Sequence, residues 1–169
     1  MVRRIRKNRK GDVQDLVFIL GVIMVFALAI LFSFKIMGEW NTEIQSRSDI
    51  PAVAKTANAQ LLAVYPGVMD NAFLFLVVGM SLAALALAAL VRIHPIFIPF
   101  YLIVMLATVI LAAIMSNVYQ EIGSNALLTA EVSQLTFVTY IMNYLPMTIA
   151  VFGTILMVVM YKNWRVEQL

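Results

Sequence analysis

The sequence contains no cysteine, a single histidine and few charged residues. Without cysteine there is no disulfide bond, no thiolate metal ligand and no thiol nucleophile. The single histidine, His94, cannot build a zinc site without other good ligands, and its place in a short turn indicates a structural residue or a headgroup contact. A phosphate-binding loop, a catalytic triad, paired carboxylates and a nucleotide fingerprint are also missing. We therefore expect no enzymatic activity, no cofactor and no metal site.

What the sequence does have is apolar residues, which make up 63% of its 169 positions, against 12% charged residues. A typical soluble domain is about half apolar and about a quarter charged. So short a chain cannot enclose the excess apolar surface, which must face lipid. The composition thus predicts an integral membrane protein with the lipid bilayer as its first partner.

Four long apolar runs are candidates for membrane spans, at about 16–37, 68–93, 96–118 and 135–161. Each reaches the roughly 20 residues that a helix needs to cross a bilayer. The runs are continuous rather than alternating, which favours helices over barrel strands. The sequence predicts an all-α polytopic membrane protein: a single domain over 1–169, with a basic cytoplasmic segment at 1–13, four transmembrane helices, and outer loops at 38–67 and 120–134.

Lysine and arginine residues are distributed unevenly about these spans. Nine of the twelve lie in the amino-terminal segment, the turn between spans two and three, and the carboxyl-terminal segment. Arg47 and Lys55 lie on the other side, and Lys35 lies near that boundary. Because short cytoplasmic segments are enriched in basic residues, both termini are predicted to be inside. The membrane is either a cell membrane or the internal membrane of a virion.

The first outer loop contains a predicted amphipathic helix. Asp49 and Pro51 are typical of a helix start, and Pro66-Gly67 is typical of a helix end. The apolar residues between them recur at helical spacing: Ile50, Val53, Ala54, Ala57, Leu61, Val64 and Tyr65. This helix is expected to lie on the outer membrane surface or to pack on the bundle. The alternative is a docking surface for a partner protein.

Several polar residues lie at the predicted span ends or within the fourth span. Asp70, Asn71, Asn117 and Glu121 are interpreted as interfacial caps, and the alternative is an ion or proton path. Within the fourth span, a hydrogen bond to another helix and a kink explain the polar stretch better than a transport pathway does. The candidate helix-packing residues are Gly79, Ala83, Asn143, Pro146 and Gly153.

The basic amino-terminal segment is the candidate contact for phosphates, either of anionic lipid headgroups or of nucleic acid. Nucleic acid is a candidate partner only through this segment. Setting the topology explains the same charges without any ligand. The candidate residues are Arg3, Arg4, Arg6, Lys7, Arg9 and Lys10.

Two resemblances to known families add to this interpretation. Arg9-Lys10-Gly11, followed by acidic residues and a long apolar run, resembles the class III signal of type IV pilin-like proteins, although pilins have one such helix rather than four. The stretches 70–75, 92–95, 116–121 and 142–146 look like those of small four-span membrane proteins of archaeal and bacterial genomes and of viruses with an internal membrane. The second resemblance implies a virion membrane component.

Three functions follow as hypotheses. The first is a non-enzymatic structural or assembly protein of a membrane, in a virion a component that contacts capsid proteins. The second is an oligomeric channel, holin-like pore or small transporter, formed by self-association. The third is an accessory subunit of a larger membrane complex, recognised through the outer helix.

Overall fold

The computed structural model describes residues 12–90 and 95–165. Over these ranges the chain forms six α-helices, a short 3₁₀ turn at Pro95–Phe97, and no strand. The predicted all-α fold is confirmed. The basic residues from Arg3 to Lys10, and Arg92 and His94 in the predicted turn, lie outside the described residues. The helices are α1 (Asp12–Ser46), α2 (Ala52–Leu90), α3 (Ile98–Gly123), α4 (Thr129–Gln134), α5 (Thr136–Asn143) and α6 (Leu145–Arg165).

Four segments of these helices are long and apolar enough to cross a membrane: Val17–Ser46, Ala52–Leu90, Ile98–Gly123 and Leu145–Lys162. In α2 and α3 only 11% of the most apolar window is buried inside the protein. Such extensive apolar exposure is stable against lipid but not against water. The chain is therefore a polytopic integral membrane protein with four apolar helices.

The most enclosed helix is α1, of which 39% of the most apolar window is buried. Its buried side chains recur every three or four positions and so share one face. On that face Phe26 stacks against Phe73 of α2, and Phe34 stacks against Tyr65, with ring centroids 6.4 and 5.7 Å apart. The buried residues of α1 are Leu20, Ile23, Met24, Ala27, Ile30, Leu31 and Phe34.

Helix α2 runs without interruption through Pro66. The prediction that Pro66-Gly67 ends a separate loop helix is therefore wrong. An internal proline costs about 3 kcal/mol because it removes a backbone donor and crowds the preceding turn. Here the Pro66 side chain is buried, and its neighbour Tyr65 stacks on Phe34 of α1. This packing offsets the local cost, and sequence alone does not reveal it.

The first two helices form a hairpin that extends beyond the rest of the bundle. Residues 52–69 of α2 extend about 27 Å past Asp70 at 1.5 Å per residue. Helix α4 packs beside part of this length, because Glu131 pairs with Lys35 and borders the same cleft as Leu62. Near the tip, Gln45 and Lys55 exchange two side-chain bonds to each other's backbone carbonyls, both of 2.9 Å. Asn58 donates to Asn41 at 2.8 Å. We call residues 36–67 the projecting hairpin.

The predicted fourth span consists of two helices, because α5 ends at Asn143 and α6 begins at Leu145. The break lies just before Pro146, whose ring crowds the carbonyl of Met142 and which has no amide hydrogen. The carbonyl of Asn143 accepts a hydrogen bond from the Ser116 hydroxyl of α3, at 3.2 Å. The predicted loop at 120–134 also differs: α3 continues to Gly123, and α4 occupies its second half.

Candidate functional site

The carboxylate of Asp70 caps the amino end of α5. The side chain is only 6% exposed. Its two oxygens accept hydrogen bonds from the backbone N–H groups of Phe137 and Val138, both at 2.8 Å. These donors belong to the first turn, where a helix has no carbonyl partner for them and where its dipole favours negative charge. The sequence predicts Asp70 at the start of the second span. In the structure Asp70 lies inside α2 and caps α5.

A second set of hydrogen bonds joins α3, α4 and α5 at the same level. The buried hydroxyl of Tyr119 lies 3.4 Å from Oγ1 of Thr139. Thr139 in turn donates to the backbone carbonyl of Val132, at 3.1 Å. Together with the Asp70 cap, these bonds fix four helices against one another at the base of the projecting hairpin.

Buried polar side chains elsewhere in the described bundle also have internal partners. Thr108 donates to the carbonyl of Val104 in its own helix, at 2.9 Å. Ser116 donates to Asn143, as described above. In the described part of the chain, the buried polar side chains are Asp70, Thr108 and Ser116. Each therefore has a backbone partner, as buried polar groups in proteins usually do, and the bonds of Asp70 and Ser116 join different helices.

Lys35 and Glu131 form an ion pair between α1 and α4, with Nζ 3.5 Å from Oε1. The two side chains are 27% and 14% exposed. Lys35 also lies 3.8 Å from Glu39, which is 70% exposed. The charges border a cleft of about 510 Å³ between α1, α2 and α4. Within the described residues no group of three or more histidine, aspartate or glutamate side chains is arranged to hold a metal ion.

The projecting hairpin leaves an apolar face of α2 uncovered. Val53, Leu61 and Val64 are 82%, 59% and 60% exposed, and Ala57 lies exposed between them. The face of α2 that contacts α1 instead carries Lys55 and Asn58, which bond to Gln45 and Asn41. Most of the predicted apolar face is thus present but turned away from the bundle, whereas its last member, Tyr65, stacks on Phe34 of α1. Since this helix is continuous with the span, it extends from the bundle and does not form a separate surface helix. We call Val53, Ala57, Leu61 and Val64 the open stripe.

The candidate packing residues occupy different environments. Gly153 of α6 is buried, and a Cβ at this position would lie 2.9 Å from the sulfur of Met105 in α3. Tyr101 donates to the Gly153 carbonyl, at 3.0 Å. Gly79 is exposed and has no neighbour within 4 Å of such a Cβ, and Ala83 is also exposed. Gly153 alone among the three marks a close approach of two helices.

The polar candidates are mostly at the surface. The Asn143 side chain is exposed, and only its carbonyl is seen to accept a bond from another helix; Pro146 is half-buried. Asn117 and Glu121 are exposed, as is Asn71, which donates to Gly67 in its own helix. These positions are not brought together into one site.

Sequence reasoning missed the Lys35–Glu131 pair, although Lys35 carried a signal. A lysine at the end of an apolar run is expected to find a carboxylate partner. Several glutamates lie in the two loops, and their distance from Lys35 cannot be read from spacing alone. Helix α4 positions Glu131 beside Lys35, and this helix was not predicted from the sequence.

Known proteins offer no further guide to the site. No protein-family model, no curated protein and no solved structure matches this chain.

Proposed function

We propose that this protein is a non-enzymatic structural or assembly protein of a membrane, which holds a partner protein at its projecting hairpin. The observation that carries the proposal is the open stripe. Its apolar side chains extend beyond the bundle on a helix whose opposite face is already packed. Apolar residues at helical spacing on an uncovered face are typical of helix-mediated recognition. The bonds around Asp70 and Thr139 support the same function, because they make a rigid base.

Site-specific photocrosslinking tests this proposal. A photoreactive phenylalanine analogue at Leu61 reports on the open stripe, and the same analogue at Ala59 is the matched control, because Ala59 is exposed on a different face of the helix. We expect a crosslinked product of defined mass from Leu61 in native membranes, lost when Val53 and Val64 are both changed to Glu. Equal products from Leu61 and Ala59, or none from Leu61, would contradict the proposal.

The identity of the crosslinked partner distinguishes the forms that this function takes. In a virion with an internal membrane, the partner is a capsid protein, and the chain sediments with particles in a density gradient. In a cell membrane, the partner is a subunit of a larger membrane complex, and the chain is its accessory subunit. Absence from purified particles would remove the virion form and leave the second.

An oligomeric channel is the second candidate, favoured by the exposed Asn143 on the outside of the bundle. A polar amide that faces away from its own bundle is suited to contact another copy or line a shared path. This candidate predicts ion flux through reconstituted liposomes that Asn143→Leu abolishes. The internal bonding of Asp70, Thr108 and Ser116 argues against a path through one copy.

A further inference from the structure

A hollow of about 190 Å³ lies between the helices at the end opposite the projecting hairpin. All four long helices line it: Ile19 comes from α1, Ala84 and Ala88 from α2, Tyr101 from α3, and Leu156 and Met160 from α6. Every one of these residues lies within a segment able to cross a membrane. Small alanines on α2 leave the space that larger side chains would fill. We call this hollow the α2–α6 groove.

The walls of the α2–α6 groove are apolar. Among the described residues that line it, Tyr101 is the one with a polar side-chain atom. Its hydroxyl already donates to the carbonyl of Gly153, at 3.0 Å. A site of this kind does not retain water, because a buried water needs two to four polar partners. An apolar cavity of about 150 Å³ is large enough to bind benzene, so the groove has room for an apolar group of this kind or larger.

From this geometry we propose that the α2–α6 groove holds an acyl chain of an anionic phospholipid. The groove is partly open and lies within the membrane-spanning segments, where lipid chains are the surrounding solvent. A helix of a second copy, about 10–12 Å across, is too wide for such a volume. The first ten residues are a poor filler, because six of them are basic and charged groups are costly to bury.

The charge at the end of the fourth span, on the side of the membrane nearest the groove, indicates the headgroup. Met160 lines the groove, and the exposed Lys162 follows two positions later on α6. Tyr161 borders a small adjoining hollow shared with Tyr101 and Met160. A lysine at a helix end extends its ammonium group to the interface, where it attracts a lipid phosphate. Lys162 lies on a different side of α6 from Met160, so it would attract the phosphate of a lipid in the groove across the same interface and not by direct contact.

Native mass spectrometry of the purified full-length protein tests the proposal. Dioleoyl phosphatidylglycerol is titrated against wild type, Ala84→Phe and Ala86→Phe. Ala86 lies on the same helix at similar depth but is exposed and does not line the groove. We expect one lipid retained by wild type and by Ala86→Phe, and an affinity at least tenfold weaker for Ala84→Phe. Lys162→Gln should keep the lipid and weaken the preference for phosphatidylglycerol over phosphatidylcholine.

Three outcomes would overturn the proposal: equal lipid affinity in Ala84→Phe and wild type, equal loss in both alanine variants, or a lipid-free dimer that only Ala84→Phe disrupts. If Ala84→Phe does not fold, the smaller Ala84→Leu replaces it, with an expected loss of at least threefold. The motionally restricted signal of spin-labelled phosphatidylglycerol gives a second readout, expected to fall in the same variants. Because the groove and the open stripe lie at opposite ends, failure here leaves the hairpin proposal standing.

Discussion

The carboxylate of Asp70 lies 2.8 Å from the backbone nitrogen of Val138, a residue 68 positions later in the chain. The other carboxylate oxygen accepts from Phe137 at the same distance. One side chain of the second membrane-spanning helix therefore satisfies two donors at the start of α5. In a buried setting those donors have no water to replace it, so this contact holds α2 and α5 in register.

Removing the Asp70 cap should destabilise the bundle. Asp70→Ala leaves one buried and one partly buried N–H group unpaired, and we expect a loss of about 3 kcal/mol in the free energy of unfolding. Asp70→Asn keeps one acceptor oxygen and should lose about half as much. Reversible unfolding in mixed micelles, followed by circular dichroism, measures both. Asn71→Ala is the control, since Asn71 is exposed and bonds only within its own helix. Similar losses at positions 70 and 71 would contradict the capping role.

The ion pair of Lys35 with Glu131 should contribute more to the free energy of unfolding than the pair of Lys35 with Glu39. Glu131 is mostly buried, and its Oε2 atom has no hydrogen-bond partner among the described residues. Lys35→Met would leave this carboxylate without its cation, at a cost of about 2 kcal/mol. Glu39→Gln should change stability by less than about 0.5 kcal/mol, because exposed pairs contribute little.

A double-mutant cycle separates these effects. Lys35→Met combined with Glu131→Met should recover most of the stability that Lys35→Met loses, because neither buried charge remains. The same cycle with Glu39→Gln should show no coupling. Equal coupling in the two cycles would mean that burial of Glu131 has no influence on the pair.

The four spans could be predicted because a helix that crosses lipid must be about 20 residues long and mostly apolar. Both properties can be read directly from the sequence. The direction of the open stripe could not be predicted from the apolar pattern of residues 50–65 alone. Its neighbour in α1 is polar at Asn41 and Gln45, so α2 presents Asn58 and Lys55 to it. A helix buries the face that complements its neighbour, and near the hairpin tip that face is the polar one.

The continuity of α2 and the capping of α5 by Asp70 could likewise not be predicted from the sequence. Pro66 is a strong local signal for a helix end, but contacts with α1 override it. Asp70 carried a correct signal, since a carboxylate suits a helix start. The helix that it caps is distant in the sequence, and only the tertiary fold determines which one it is.

Gly153 and Gly79 should respond differently to the same substitution. Gly153→Leu would collide with Met105 of α3, and we expect a loss of about 2 kcal/mol from overpacking. Gly79→Leu adds a side chain in open space at an exposed helix position, so stability should stay the same or rise by up to about 1 kcal/mol, because glycine is a poor helix former. Thermal unfolding in detergent compares the two. Equal loss at both positions would contradict the importance of the α3–α6 contact at Gly153.

The orientation of the chain can be tested with single cysteines, because the natural sequence has none. Nine of the twelve basic residues lie in segments on one predicted side, so the termini should be cytoplasmic and the projecting hairpin outside. Ser48→Cys, in the hairpin turn, should react with a membrane-impermeant maleimide in intact cells. Val2→Cys should react only after the membrane is permeabilised. Detergent-solubilised protein is the control in which both must be labelled. The reverse pattern would place the open stripe in the cytoplasm and restrict its partner to cytoplasmic proteins.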